Sequence, residues 1–415
     1  MKNKALLAVV AAALLVRVAV ALSLPVESVV NDAAEYDTIA WNLASGNGFS
    51  MEPGLPTPTR GPGFPVFLAL LYAVFGHAFL AGTLAHAALG ALACWLTWRI
   101  ANRLFGPGPA LAAAWFSALY PVSIAYSNML MSETLFTVFF LGSIDFFLRS
   151  EGGSRRGDLV ISGVLLALAT LTRATTMLFP LGAALALFVS GRPRPLLNSL
   201  IFALAWAAAI APWTLRNYRQ FGTYLPVATG GSTCLYATGV EAEGGTYQQG
   251  FDQIAEKLER FKASPEYGAG LHPSIKFDRG LKQEASGKIK ANLSGYLSVV
   301  LRRIPKYWFS SHSSLFGVDR PLSEYRAEGR WGPIAFRLGL IAFHAGLCAL
   351  ALLGMYYWRR TFRAWAILLL VFLYFNMHAT FDMCPRYFVP IFPYLFVFCG
   401  AALAGLRARL RGEAA

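Results

Sequence analysis

Residues 5–24 read ALLAVVAAALLVRVAVALSL, and the only charge inside this run is Arg17. An apolar segment of about 20 residues is what a helix needs to cross the roughly 30 Å hydrocarbon layer of a membrane. Lys2 and Lys4 ahead of it imitate the start of a signal peptide, but no convincing small-x-small cleavage site precedes the next polar stretch. The run is therefore expected to stay in place as a first membrane span. Working outward, comparable apolar runs recur near 77–98, 109–125, 131–148, 158–172, 175–190, 196–213, 333–355, 364–380 and 387–406. The reading is an all-α polytopic membrane protein of about ten spans.

Composition agrees with this. Of 415 residues, 56% are hydrophobic and 14% are charged, against roughly a quarter charged in soluble domains. A net charge of +14 in a soluble chain would suggest nucleic acid. Here the cations sit in short clusters between apolar runs, which is a topology signal, so no nucleic-acid partner is expected and the lipid bilayer is the surrounding medium. The clusters are Lys2 and Lys4, Arg99 and Arg103, Arg149, Arg155 and Arg156, Arg192 and Arg194, Arg359, Arg360 and Arg363, and Arg407, Arg409 and Arg411. The positive-inside rule makes their side cytoplasmic, with both termini there and the protein in the cytoplasmic membrane.

Two longer polar stretches, 25–62 and 214–332, then fall outside. This divides the chain into a transmembrane module 1–213 with its first external loop 25–62, an external region 214–332, and C-terminal spans 333–415. In the first loop, Tyr36, Ile39, Ala40 and Leu43 form one apolar stripe, so 33–45 reads as a helix lying on the membrane surface and stopping at Gly46. In the second, Phe251, Ile254, Leu258 and Phe261 form another, and 295–311 is apolar enough to touch the bilayer. Cytoplasmic loops this short cannot build a nucleotide pocket of several hundred cubic ångströms. An activated substrate must therefore already be outside or dissolved in the membrane, and a sugar linked to a lipid phosphate satisfies both conditions. The five cysteines lack metal-site spacing, and His312 and His378 have no companion spaced as ligands, so no metal or other cofactor is expected.

Several local patterns follow one another along the chain. They are Asn31-Asp32-Ala33-Ala34-Glu35-Tyr36 running on to Gly48-Phe49, Thr59-Arg60-Gly61-Pro62-Gly63-Phe64-Pro65, Ser132-Glu133-Thr134, Leu171-Thr172-Arg173, Pro212-Trp213 through Arg216-Asn217-Tyr218, and Pro385-Arg386-Tyr387. In this order the chain resembles the GT-C superfamily of membrane glycosyltransferases, specifically its family 39-like and aminoarabinose-transferase-like members. The resemblance implies a multi-span helical fold, a polyprenyl-phosphate sugar donor, inversion at the anomeric carbon and an aspartate in the first external loop as base. Acceptors in such families include lipids, glycans and proteins, and the sequence does not choose among these extracytoplasmic acceptors.

Asp32 is the first candidate catalytic residue, because an external carboxylate can deprotonate an acceptor hydroxyl. The same Asp32-x-x-Glu35 spacing also reads as a capping box at a helix start. Glu35 and Tyr36, on the same helix, are candidate substrate contacts. Arg60 can grip a donor phosphate in bidentate fashion or anchor to headgroups. Glu133 and Arg173, at outer ends of spans, read either as cavity residues or as a mutual ion pair. Arg386 either stabilises the departing phosphate or snorkels to the interface. Arg216 and Asn217 match the resemblance or merely close a span. Arg17 needs a partner, and Asp145 and Arg149 read as an i,i+4 pair. The rival from another class is a transporter or flippase, whose usual marks are inverted repeats and broken helices; neither is visible in the sequence.

Overall fold

The computed structural model describes residues 2–150, 156–268, 270–380 and 384–412, with the side chains of 2, 3, 378 and 379 left out; Arg155 and the side chain of His378 thus lie outside the described residues. The chain is 79% helical. Its helices are α1 (Lys2–Ser23), α2 (Asp32–Ala44), α3 (Gly63–Phe75), α4 (Phe79–Phe105), α5 (Pro107–Leu119), α6 (Pro121–Ser127), α7 (Glu133–Arg149), α8 (Arg156–Thr172), α9 (Phe179–Val189) and α10 (Pro195–Phe221). There follow α11 (Gly231–Ala242), α12 (Tyr247–Lys262), α13 (Pro273–Ala291), α14 (Leu293–Trp308), α15 (Leu322–Ala327), α16 (Trp331–Tyr357), α17 (Phe362–Asn376) and α18 (Phe392–Leu410). One small antiparallel hairpin, Ser50–Glu52 with Leu55–Pro56, lies between α2 and α3.

Each expected span overlaps a helix, and the one over 109–125 overlaps two. Among the described residues, five helices are long and apolar enough to cross a membrane alone, and a sixth crossing arises if α5 and α6 count as one. The expected single helix over 109–125 is broken, with α5 and α6 meeting at 54°. Pro121 causes the break, because it lacks an amide hydrogen and its ring clashes with the preceding turn. α18 and α7 form the centre. Phe392 through Ala402 of α18 are all buried, as expected of a helix that is apolar all round. α18 packs on α4, α5 and α16, and α7 packs on α4 and α8.

The expected helix over 33–45 is α2, which buries Tyr36, Ile39 and Ala40 and ends just before Gly46, whose φ is 82°. Of the expected stripe on α12, only Ile254 is buried among the described residues. α14 buries Tyr296, Val299, Val300, Arg303 and Tyr307 and leaves Leu293, Leu297 and Leu301 uncovered along one side.

Asp145 and Arg149 do not pair. Asp145 is fully buried and faces α4, where Arg99 Nη2 lies at 2.8 Å and Arg103 Nη2 at 3.4 Å, while Arg149 reaches Asp158 on α8 at 3.5 Å. A buried carboxylate requires more compensation than one surface-leaning neighbour on its own helix supplies.

Candidate functional site

Asp32 and Glu35 occupy the first turn of α2, but they do not cap it. Asn31 is the residue at the cap position and makes no side-chain bond there. The capping box is therefore not formed, and both carboxylates turn to one arginine. Arg60 Nη2 donates to Asp32 Oδ1 at 2.6 Å, and Arg60 Nε donates to Glu35 Oε2 at 2.7 Å. The guanidinium also lies 5.2 Å from the centre of the Tyr36 ring.

Arg60 is delivered by the turn that follows it. A Cβ on Gly61 would strike the Leu171 carbonyl, and one on Gly63 would strike Thr172. Only glycines let this turn lie flush on the end of α8, where the next residue is Arg173. Arg173 Nη1 donates to Glu133 Oε1 at 2.6 Å and to Ser132 Oγ at 2.9 Å. Its guanidinium stands 4.6 Å from the centre of the Tyr387 ring.

Arg386 joins the two halves. It sits in the 3₁₀ segment Pro385–Ile391 that leads into α18. Its Nη2 donates to Asp32 Oδ2, and its Nε lies 3.9 Å from Glu133 Oε1. Asp32 is thus held between Arg60 and Arg386, and Glu133 between Arg173 and Arg386. The side chains of Asp32, Arg60 and Arg386 each keep between 22% and 24% of their surface exposed, so the network opens to solvent on the α2 side while Glu133, at 1%, closes it below.

The electrostatics follow from this packing. Burial pushes the Asp32 carboxyl up, but Arg386 and Arg60 outweigh it and hold the group below the ordinary carboxylate range. Three carboxylates, Asp32, Glu35 and Glu133, face three guanidiniums, Arg60, Arg173 and Arg386, so the cluster is neutral as it stands. An added anion would have to compete with a carboxylate for an arginine.

The seven residues singled out from sequence, Asp32, Glu35, Tyr36, Arg60, Glu133, Arg173 and Arg386, all lie in this one network. Glu133 and Arg173 do form a mutual ion pair, but within the cluster rather than apart from it. Two participants were overlooked as site residues. Ser132 bonds Arg173 and lies 3.4 Å from the Tyr36 hydroxyl, and Tyr387 faces both Arg173 and Arg386. Each adjoins a charged residue already chosen, which was the available signal. Arg216 and Asn217 lie elsewhere. Arg216 donates to the carbonyls of Phe49 and Thr57, and Asn217 to those of Leu225 and Val227, so together they fasten the first loop and the segment after α10 to the end of that helix. Among the described residues, no three His, Cys, Asp or Glu side chains converge as a metal site.

Residues 58–215 match the family of dolichyl-phosphate-mannose-protein mannosyltransferases. No curated protein matches the chain. Among solved structures, the apo oligosaccharyltransferase of Archaeoglobus fulgidus is similar over 98% of this chain and 51% of its own, at 15% identity and a TM-score of 0.58. The same organism's AglB in complex with an inhibitory peptide and a dolichol-phosphate gives 16% identity and a TM-score of 0.57, with coverage of 98% and 51%. ArnT from Cupriavidus metallidurans bound to undecaprenyl phosphate gives 16% identity and a TM-score of 0.45 over 97% of this chain and 78% of its own. The chain spans about half the length of the oligosaccharyltransferases it matches. By fold, then, this chain is similar to the archaeal oligosaccharyltransferases, and its segment 58–215 is similar to the dolichyl-phosphate-mannose-protein mannosyltransferases.

Proposed function

We propose that the protein is a glycosyltransferase that moves a sugar from a polyprenyl-phosphate donor to an acceptor on the non-cytoplasmic side, with inversion and with Asp32 as base. The observation that carries this reading is Asp32 suspended between Arg60 and Arg386, on a loop helix where solvent reaches it. The dolichol-phosphate bound to the archaeal oligosaccharyltransferase of the same fold supports the donor class.

The reaction is one displacement. The acceptor oxygen bonds to the anomeric carbon as the bond from that carbon to the phosphate oxygen breaks, the acceptor proton goes to Asp32, and polyprenyl phosphate leaves with the bonding electrons. A phosphate is a good leaving group, so a second carboxylic acid is not needed, unlike in a glycosidase. Arg60, Arg173 and Arg386 offset the charge that grows on the leaving group. The donor phosphate and Asp32 want the same two guanidiniums. When the phosphate takes them, Asp32 loses the charges that depress its proton affinity and becomes a better base at the moment one is required.

The broken span between α5 and α6 favours a second reading, since broken helices line transporter sites. The carbonyls freed there, however, are taken by Arg17. One assay separates the two readings. Purified protein in nanodiscs is expected to transfer label from a polyprenyl-phosphate sugar to an envelope-lipid or peptide acceptor, and to leave the matching nucleotide-sugar untouched. Direct use of the nucleotide-sugar, or flipping of the labelled lipid without transfer, would overturn the proposal.

A further inference from the structure

A guanidinium in the middle of a membrane helix must find acceptors, and Arg17 in α1 is only 3% exposed. It finds them at the break in the neighbouring span. Pro121 has no amide hydrogen to offer the Ser117 carbonyl, and the bend turns the Ala118 carbonyl off its helix axis. Arg17 Nη2 donates to Ser117 O at 3.3 Å, Nη1 to Ala118 O and Ala13 O at 3.0 Å each, and Nε to Ser127 Oγ at 3.2 Å. Gly90 makes the room, because a Cβ there would strike the Arg17 side chain. A guanidinium has five N–H groups. Four have acceptors among the described residues, the fifth has none, and all four acceptors are neutral.

Glu133 has the complementary shortage. Its Oε1 holds Arg173, while Oε2 is buried with no hydrogen-bond partner among the described residues. Arg17, Ser127, Tyr126, Thr134 and Glu133 line one cavity, which leaves about 30 Å³ for the centres of water molecules. One water needs roughly 10–15 Å³ by this measure, so there is room for about two.

We infer that this cavity is a water site in which about two ordered waters join Arg17 to Glu133 Oε2. Arg17 is then a positioning residue. It never touches substrate, but through the waters it fixes the Glu133 carboxylate and so holds Arg173 and Arg386 in place to receive a phosphate. The buried arginine also gives the site and its foundation one positive charge in excess, which matches the single charge of a phosphodiester. This last function rests on the proposed donor, whereas the water site does not.

The full chain in lipid nanodiscs, imaged finely enough to show ordered water, is expected to show density in the cavity between Arg17 and Glu133. Binding of polyprenyl phosphate then tests the positioning role. Arg17→Gln keeps donors for the carbonyls without the charge, and is expected to weaken binding roughly tenfold, whereas Arg17→Lys, which keeps the charge, costs less than about threefold. In a Glu133→Gln background the Arg17→Gln effect should shrink to below about twofold. A dry cavity overturns the water site. Equal losses for Arg17→Gln and Arg17→Lys, whatever stands at 133, reduce Arg17 to a staple for the broken span. Wild-type protein that does not bind polyprenyl phosphate defeats the proposed function instead, and the density alone then decides the water site.

Discussion

Asp32 carries the strongest test at the scale of one side chain. Asparagine preserves its shape and can still accept from Arg60, but it cannot take a proton. Loss of a general base costs roughly 10²- to 10⁴-fold, so Asp32→Asn is expected to lower kcat by that order while thermal stability and donor binding stay near wild type. Glu35→Gln should be milder, since Glu35 reaches only Arg60. Near-normal turnover by Asp32→Asn would remove the residue from the chemistry. The pH profile adds a second test. The carboxyl is held low in the free protein, and a base works only when deprotonated, so kcat/KM should fall with decreasing pH only below the ordinary carboxylate range. Once donor phosphate draws the arginines away, the acid limb of kcat should lie at a higher pH than that of kcat/KM. Coincident limbs would mean that the arginines never leave Asp32.

At the scale of elements, the decisive contact is the turn after Arg60 lying on the end of α8. Gly61→Ala places a methyl against the Leu171 carbonyl, a backbone atom that cannot swing aside. The turn must lift, which moves Arg60 away from Arg173, so donor affinity should fall at least tenfold, a shift of about 1.4 kcal/mol, with a modest loss of thermal stability. Wild-type affinity in that variant would show that the close approach is not required. Elements were legible from sequence where one pattern governs them. The apolar runs marked the spans, and the stripe from Tyr36 to Leu43 marked α2. The break at Tyr120–Pro121 was overlooked because both halves are apolar and a hydropathy reading is blind to direction. Asp145 was misassigned for a related reason. Spacing on one helix is visible in a sequence, whereas Arg99 and Arg103 on the facing helix become neighbours only after packing. Glu133 and Arg173 were legible as charged positions at span ends, and Asp32, Glu35, Tyr36, Arg60 and Arg386 as members of the ordered local patterns, but nothing local revealed that Arg386 would reach Asp32.

Seen whole, the molecule separates its charges along α7. α7 begins at Glu133 in the site and ends at Arg149, and at 1.5 Å per residue these lie roughly 24 Å apart. Arg99, Arg103 and Arg149 therefore gather at the end opposite the site. If that end is cytoplasmic, as the positive-inside rule requires, a reporter fused after Ala415 should behave as cytoplasmic and one inserted near Gly245 as external. External labelling of a C-terminal tag in intact cells would put the site on the wrong face. The pairing of Asp32 with Arg386 joins positions 354 residues apart, and that distance is also an interval of time. A ribosome making the chain exposes Asp32, Glu35 and Arg60 early, before any later span is made. Only when the segment carrying Arg386 has been inserted does Asp32 acquire its second arginine. On the proposed function, a nascent chain lacks a complete site until Arg386 is in place, and a stop codon anywhere before Pro385 should leave no partial activity behind.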